Sequence, residues 1–241
     1  METAKIKAEY IDHMGDDLRV VNAARVSFNK ESEWEFAECM CHARNEDECL
    51  CGAYDGERDE LKEGDCRLIK YLSTHGHWTP FSHPMITMRE TVPIFVARQR
   101  FKHMVGFTYN EVSRRYVDDE PEFYQPEAWR ERPDKSLKQG SGGEHGSSAS
   151  WLLQTRRHNR LALHLYNQML KDGVAPEQAR MVLPQSMMTS YYVTGSLAAF
   201  ARAYKQRIDS HAQKEIQGLA KDWDKIIRPL FPVSWAALTG E

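Results

Sequence analysis

The sequence predicts an α/β (α+β) fold, and two kinds of observation predict it. Short stretches, KIKAEYI near the start and Met85–Glu90, alternate polar and apolar residues as strands do. Longer stretches, Trp151–Leu170 and Ser196 toward Ile227, carry apolar residues at helical spacing. A chain of 241 residues can bury a core of its own. No internal repeat divides it, so residues 1–241 read as one domain.

The elements follow in chain order. KIKAEYI forms a strand, Met14-Gly15-Asp16-Asp17 turns the chain, and LRVVNAARVSF supplies a short second element. Residues 31–70 are strongly charged; Cys39–Cys51 interrupt what reads as helix, and Cys66–Ser73 are its last turns. HGHWTPFSH holds Gly76 and Pro80 and is closed by Pro84, so its three histidines sit in an irregular loop, a good place for function. PIFVARQRFKHMV opens a helix near Pro93, with Ile94, Ala97, Phe101 and Val105 as the stripe expected to be buried and Arg98 and Lys102 on another side. GFTYNEVSRRYV then turns into a short extended element.

Residues 118–150, Pro-rich at first and then KQGSGGEHGSS, read as a mobile loop. The helix over Trp151–Leu170 has Leu153, Leu161, Leu165 and Met169 among its apolar positions and stops near Gly173; another starts near Pro176 and ends at Leu183-Pro184. The last long helix is expected from about Ser196 to Ile227. Leu197, Tyr204, Ile208, Ala212, Leu219, Trp223 and Ile226 recur along it, and Arg207 and His211 stand one turn apart on a neighbouring face.

Composition removes several classes of function. Lys and Arg number 32 against 35 Asp and Glu, a net charge of −3, which lacks the basic footprint of a protein that binds a nucleic-acid polymer. No apolar run approaches the roughly 20 residues of a membrane span, and no basic-then-apolar leader opens the chain, so the expected compartment is the cytoplasm. An odd count of five cysteines, all within the first third, argues against a disulfide framework. CMCHARNEDECLC sets two C-x-C pairs beside His42, which thiolate or imidazole ligation could use, but the spacing departs from a C-x₂-C knuckle and no metal is assigned. G-x-G-x-x-G, the P-loop and H-E-x-x-H are all absent from the sequence.

What remains is ARQRFKHMVGFTYNEVSRRY. Its Arg and Lys donate to phosphate, Ser113 adds a hydroxyl, and Asn110 or Glu111 can hold a ribose or base, so the composition suits a nucleotide; a solvated basic helix would look the same. This segment, with AARVSF, HGHWTPFSH, RMVLP and RIDSHAQKEI in the same order, resembles the flavin-dependent thymidylate synthases. The matches run from about residue 20 to residue 220.

The resemblance implies a mixed sheet flanked by long helices, a homotetramer with FAD sites at subunit junctions, and conversion of dUMP to dTMP. Methylenetetrahydrofolate would be the one-carbon donor and NADPH the reductant. It also implies Gln99, Glu111, Ser113, Arg115, Arg180 and Arg207 as the nucleotide group, with Arg207 catalytic, polarising the pyrimidine as charge develops during attack at C5. Ser27, His77, Lys102, His103, Glu111, Arg202 and His211 correspond to flavin contacts.

The sequence also departs from the family. Lys102-His103-Met104 replaces Arg-His-Arg, and Val105–Val112 before Ser113 is one residue longer than usual. Lys102 keeps a charge but loses the planar fork, and Met104 has neither, so Arg100 or Arg98 is expected to compensate toward the flavin. Ser196 and Ala198 stand where the family often supplies Asn and Arg. The stretches 38–60 and 130–150 look like additions to the family core. An alternative is a related flavoenzyme with another C5 product, such as a hydroxymethylated nucleotide, or a flavin- and nucleotide-binding protein without catalysis.

Overall fold

The structure is a computed structural model that describes residues 4–38, 57–117, 119–134 and 140–240. Its elements are β1 (Lys7–Met14), α1 (Asp17–Arg25), β2 (Glu35–Glu38), β3 (Glu57–Glu60), α2 (Glu63–Thr74), β4 (Met85–Pro93), α3 (Ile94–Arg100), β5 (Phe107–Glu111), α4 (Ser148–Lys171), α5 (Pro176–Ala179), β6 (Met188–Ser196), α6 (Leu197–Arg207), α7 (Lys214–Leu230) and α8 (Pro232–Thr239). Single 3-10 turns lie at Val26–Phe28, Pro80–Ser82 and Arg180–Val182. Cys39, Cys41, His42, Cys49 and Cys51 fall outside the described residues.

The four-stranded sheet runs β1-β4-β6-β5, and β2 pairs with β3 separately. The α+β class is as expected, but every pairing within the larger sheet is antiparallel, so the sheet is not mixed. The reason lies in β6, which sequence patterning did not disclose. β4 and β5, linked through α3, run in the same direction, but β6 enters between them and pairs antiparallel with both. β1, an edge strand, is largely exposed, and its register slips between Tyr10 and Asp12, a bulge of the kind that blunts an open edge.

Alternation places Ile86, Met88 and Val92 of β4 with Tyr191 and Val193 of β6 on the buried face. Phe200 of α6, Trp223 of α7 and Trp235 of α8 fill the core with them. Asp17, at the start of α1, accepts from the backbone N–H of Val233 (2.8 Å) and Ser234 (2.9 Å), so its carboxylate serves the first turn of α8.

Three helix expectations change. The long helix from Ser196 to Ile227 is two helices, because Asp209 accepts from His211 N–H at 2.8 Å and gives the backbone an alternative to the helical ladder. His211 therefore lies in the link and not one helical turn beyond Arg207. In α3 the buried residues are Val96, Ala97 and Arg100; the helix ends at Arg100, leaving Val105 75% exposed. On α4 the inward residues are Asn159, Ala162, Leu163 and Tyr166, while Leu153, Leu161 and Leu165 face outward.

Candidate functional site

A cleft of about 1140 Å³ opens where the outer face of β4 and β6 meets α3, the segment after β5, and the 3-10 turn after α5. It gathers Glu111, Ser113, Arg115 and Arg180 from the expected nucleotide group. β5 delivers Glu111 at its last residue, where Thr189 Oγ1 donates to its carboxylate at 2.7 Å. The turn that follows folds Arg115 back so that its Nε donates to Ser113 Oγ at 3.2 Å. Arg180 is fixed by Nε donation to the Glu177 carbonyl at 3.2 Å.

Arg98, one of the two arginines expected to compensate, joins the cleft, as do Arg89, Thr189 and Ser190, which were not singled out as site residues from the sequence. Arg89 Nε donates to Ser190 Oγ at 3.0 Å, and the two project from adjacent strands. The alternation of small hydroxyls with Tyr191 and Val193 in MTSYYVTGS was the available signal for that strand. Guanidiniums and hydroxyls, with carboxylates of Glu111, Asp119, Glu120 and Glu122 also on the lining, stand beside Ile94, Ala97 and Phe101 and give the cleft the means to hold an anion together with a flat ring.

A second group forms on the turn between α3 and β5. His103 is buried, and its Nε2 accepts from Arg207 Nε at 2.8 Å. Burial, then the nearby Arg207, Arg100 and Arg202, lower its pKa to about 4, so the imidazole is neutral at pH 7. Burial and Arg100 likewise lower the Arg207 pKa. Arg202 donates to the Val105 carbonyl and so braces the turn from the α6 side. Beside it lies a cavity of about 360 Å³, lined by Trp78, Ser196, Ala198, Arg202 and Lys205 among others.

Arg100 corrects the sequence reading. It has no exposed surface, and its Nε donates to Glu90 Oε2 at 3.1 Å. Glu90 also receives Tyr191 O–H (2.6 Å) and Trp223 Nε1–H (2.8 Å), and the guanidinium lies 4.4 Å from the Phe107 ring centroid and 4.6 Å from that of Trp223. Burial alone would lower its pKa; Glu90, Tyr109 and Tyr191 together outweigh this and raise it. Arg100 is a core ion-pair partner with no surface offered to a ligand in this chain, and only Arg98 of the two compensating arginines lines the cleft.

The remaining candidates lie apart. Ser27 is exposed in the turn after α1, Lys102 is exposed beside His103, and His77 stacks on Tyr71 with centroids 6.1 Å apart. His211 is exposed with Nδ1 3.0 Å from Asp209 Oδ1. Gln99 is half-buried, and its Oε1 lacks a partner among the described residues. One chain thus assembles Glu111, Ser113, Arg115 and Arg180 in one cleft, and His103 with Arg207 at another place.

A family model described as thymidylate synthase complementing protein matches residues 9–233. A flavin-dependent thymidylate synthase of Thermus thermophilus is 34% identical over 227 residues, covering 94% of this chain and 73% of that protein. The chain belongs to the flavin-dependent thymidylate synthase family. It is therefore an enzyme of that family. The Thermotoga neapolitana member is 36% identical over 234 residues, covering 95% of this chain and 88% of its own. Among solved structures, the UMP/dUMP methylase PolB from Streptomyces cacaoi, bound with 5-Br dUMP, is similar with a TM-score of 0.79 and 28% identity. That similarity covers 100% of this chain and 97% of PolB. Among the described residues no helix is long and apolar enough to cross a membrane.

Proposed function

We propose that this enzyme converts dUMP to dTMP by reductive methylation at C5, with bound FAD, methylenetetrahydrofolate as one-carbon donor and NADPH as reductant. The observation that carries the reading is the cleft that gathers Glu111, Ser113, Arg115 and Arg180. Ser113, Arg115 and Arg180 hold the phosphate and sugar by charge-assisted hydrogen bonds, and Gln99 and Glu111 complete the nucleotide group. Arg207 meets the pyrimidine carbonyls and stabilises charge as it develops on the ring. The relative crystallised with 5-Br dUMP supports a pyrimidine nucleotide as ligand.

The residues fit a flavin. Small side chains at Ser196 and Ala198 leave room beside the Trp78 ring, while Arg202 and Lys205 put cations at the same cavity. Ser27, His77, Lys102, His103, Glu111, Arg202 and His211 are the residues proposed to hold FAD. When bound, FAD supplies the hydride chemistry that a side chain cannot. The chain's own contribution is position and charge, and none of its roles calls for a cysteine nucleophile. Because the cleft and Arg207 lie apart on one chain, we place the complete site at subunit junctions of a homotetramer.

The test is anaerobic incubation of the purified protein with FAD, NADPH, methylenetetrahydrofolate and dUMP, followed by mass analysis of the nucleotide. A product one methylene unit heavier than dUMP is expected. A product carrying an additional oxygen would move the assignment to the hydroxymethyl alternative, and unchanged dUMP with bound, reduced flavin would leave a binding protein. Arg207→Ala should lower kcat/KM by about a hundredfold or more with little change in thermal stability.

A further inference from the structure

Resting on the reading that Arg207 meets the pyrimidine, we infer that His103 is a positioning residue: its imidazole takes the Arg207 Nε–H and leaves only the two Nη groups for the ligand. An imidazole nitrogen that accepts from a guanidinium carries no proton, so the 2.8 Å contact fixes the tautomer as well as the partner. Arginine commonly grips a two-oxygen acceptor side-on through Nε and Nη. With Nε occupied, that edge is closed, and the guanidinium can be approached only end-on. Among the described residues neither Nη group of Arg207 has a partner.

The seat of His103 is built from several elements. Tyr109 on β5 donates its O–H to the His103 carbonyl at 2.7 Å and receives Arg100 Nη1 from α3 at 2.6 Å. Arg202 on α6 holds the Val105 carbonyl on the other side. Gly106 closes the turn at φ +80°, where a Cβ would lie 2.9 Å from Ala199 Cβ. The charged groups facing His103 are Arg100 from α3 and Arg202 and Arg207 from α6, with Tyr109 the titratable group on β5. All three arginines oppose protonation, so the acceptor persists through neutral pH. The proton rests on Nδ1, which has no partner among the described residues and is a second donor for a ligand.

The test compares His103→Leu with His103→Gln, whose amide oxygen can accept. In flavin-free protein, nitrogen-detected NMR of the imidazole should show the Nδ1–H tautomer at pH 7 and no protonation until about pH 5 or below, and Arg207→Ala should raise that titration. In the FAD-saturated enzyme, His103→Leu should lower kcat about a hundredfold with dUMP KM changed less than about threefold, and His103→Gln should recover most of the loss. Because His103 is also proposed to contact FAD, both variants are assayed at saturating FAD, with flavin content read by absorbance to establish saturation. An Nε2–H tautomer, equal impairment of the two variants, unchanged kcat in His103→Leu, or loss that disappears on adding excess FAD would each overturn the inference. Absence of turnover in the wild-type enzyme would instead sink the functional reading, and the tautomer measurement would still decide the Arg207 contact.

Discussion

His103 sets a pH window on folding. Its folded pKa of about 4 lies below the ordinary 6.5, so the unfolded chain binds the proton first as pH falls. The stability at stake is fully present above pH 6.5 and is lost as pH falls toward 4. The shift corresponds to at most about 3 kcal/mol. In denaturant melts between pH 7 and pH 4, the stability of wild type should fall relative to that of His103→Gln as acid is added, and parallel curves would show that His103 is not held neutral. Glu90 argues a different residue-scale effect. Glu90→Gln leaves the Arg100 guanidinium buried without its counter-charge, which should cost about 3–5 kcal/mol in chemical denaturation. The sequence did not separate Arg100 from its neighbours, because Arg98 and Lys102 carry similar charge at the surface. Only the turn-related placement of Val96 and Arg100 on one face, with α3 ending there, makes this arginine interior.

At the scale of elements, what could be read was what had a clean period. KIKAEYI, Met85–Glu90 and the helix after Pro93 are β1, β4 and α3, and the helix near Trp151–Leu170 is α4. β6 was hidden by a run of hydroxyl and aromatic residues that serves two different faces: Tyr191 and Val193 enter the core while Ser190 reaches the cleft. The break between α6 and α7 was hidden because apolar spacing continues across it, while a local Asp209 hydrogen bond ends the helix. Gly195 shows how tightly β6 is held. A Cβ there would sit 2.4 Å from Phe107 Cδ1, and Phe107 is itself confined by Phe200, with ring centroids 4.9 Å apart, and by Arg100. Gly195→Ala should therefore destabilise by about 1–3 kcal/mol despite adding one methyl group. An unchanged melting temperature would mean that Phe107 moves freely.

At the scale of the molecule, the ordered motifs made the family and its candidate residues legible, but the spatial division between them was not. Glu111, Ser113, Arg115 and Arg180 share a cleft, whereas Arg207 is held by His103 on the turn between α3 and β5. If one site takes the cleft from one subunit and Arg207 from another, two different defects need not lie in the same site. The outward Leu153, Leu161 and Leu165 of α4 offer an apolar strip for such an assembly. Mixing Arg115→Ala protein with Arg207→Ala protein after partial dissociation should then restore activity, because some sites draw both intact contributions. For random pairing at equal concentrations the recovered activity approaches about a quarter of wild type. Each variant alone, taken through the same dissociation, should stay inactive. Recovery of nothing in a mixture shown by mass to contain hybrid oligomers would place both arginines in one subunit's site, and the separation within the single chain would then have to close by movement of the 102–106 turn.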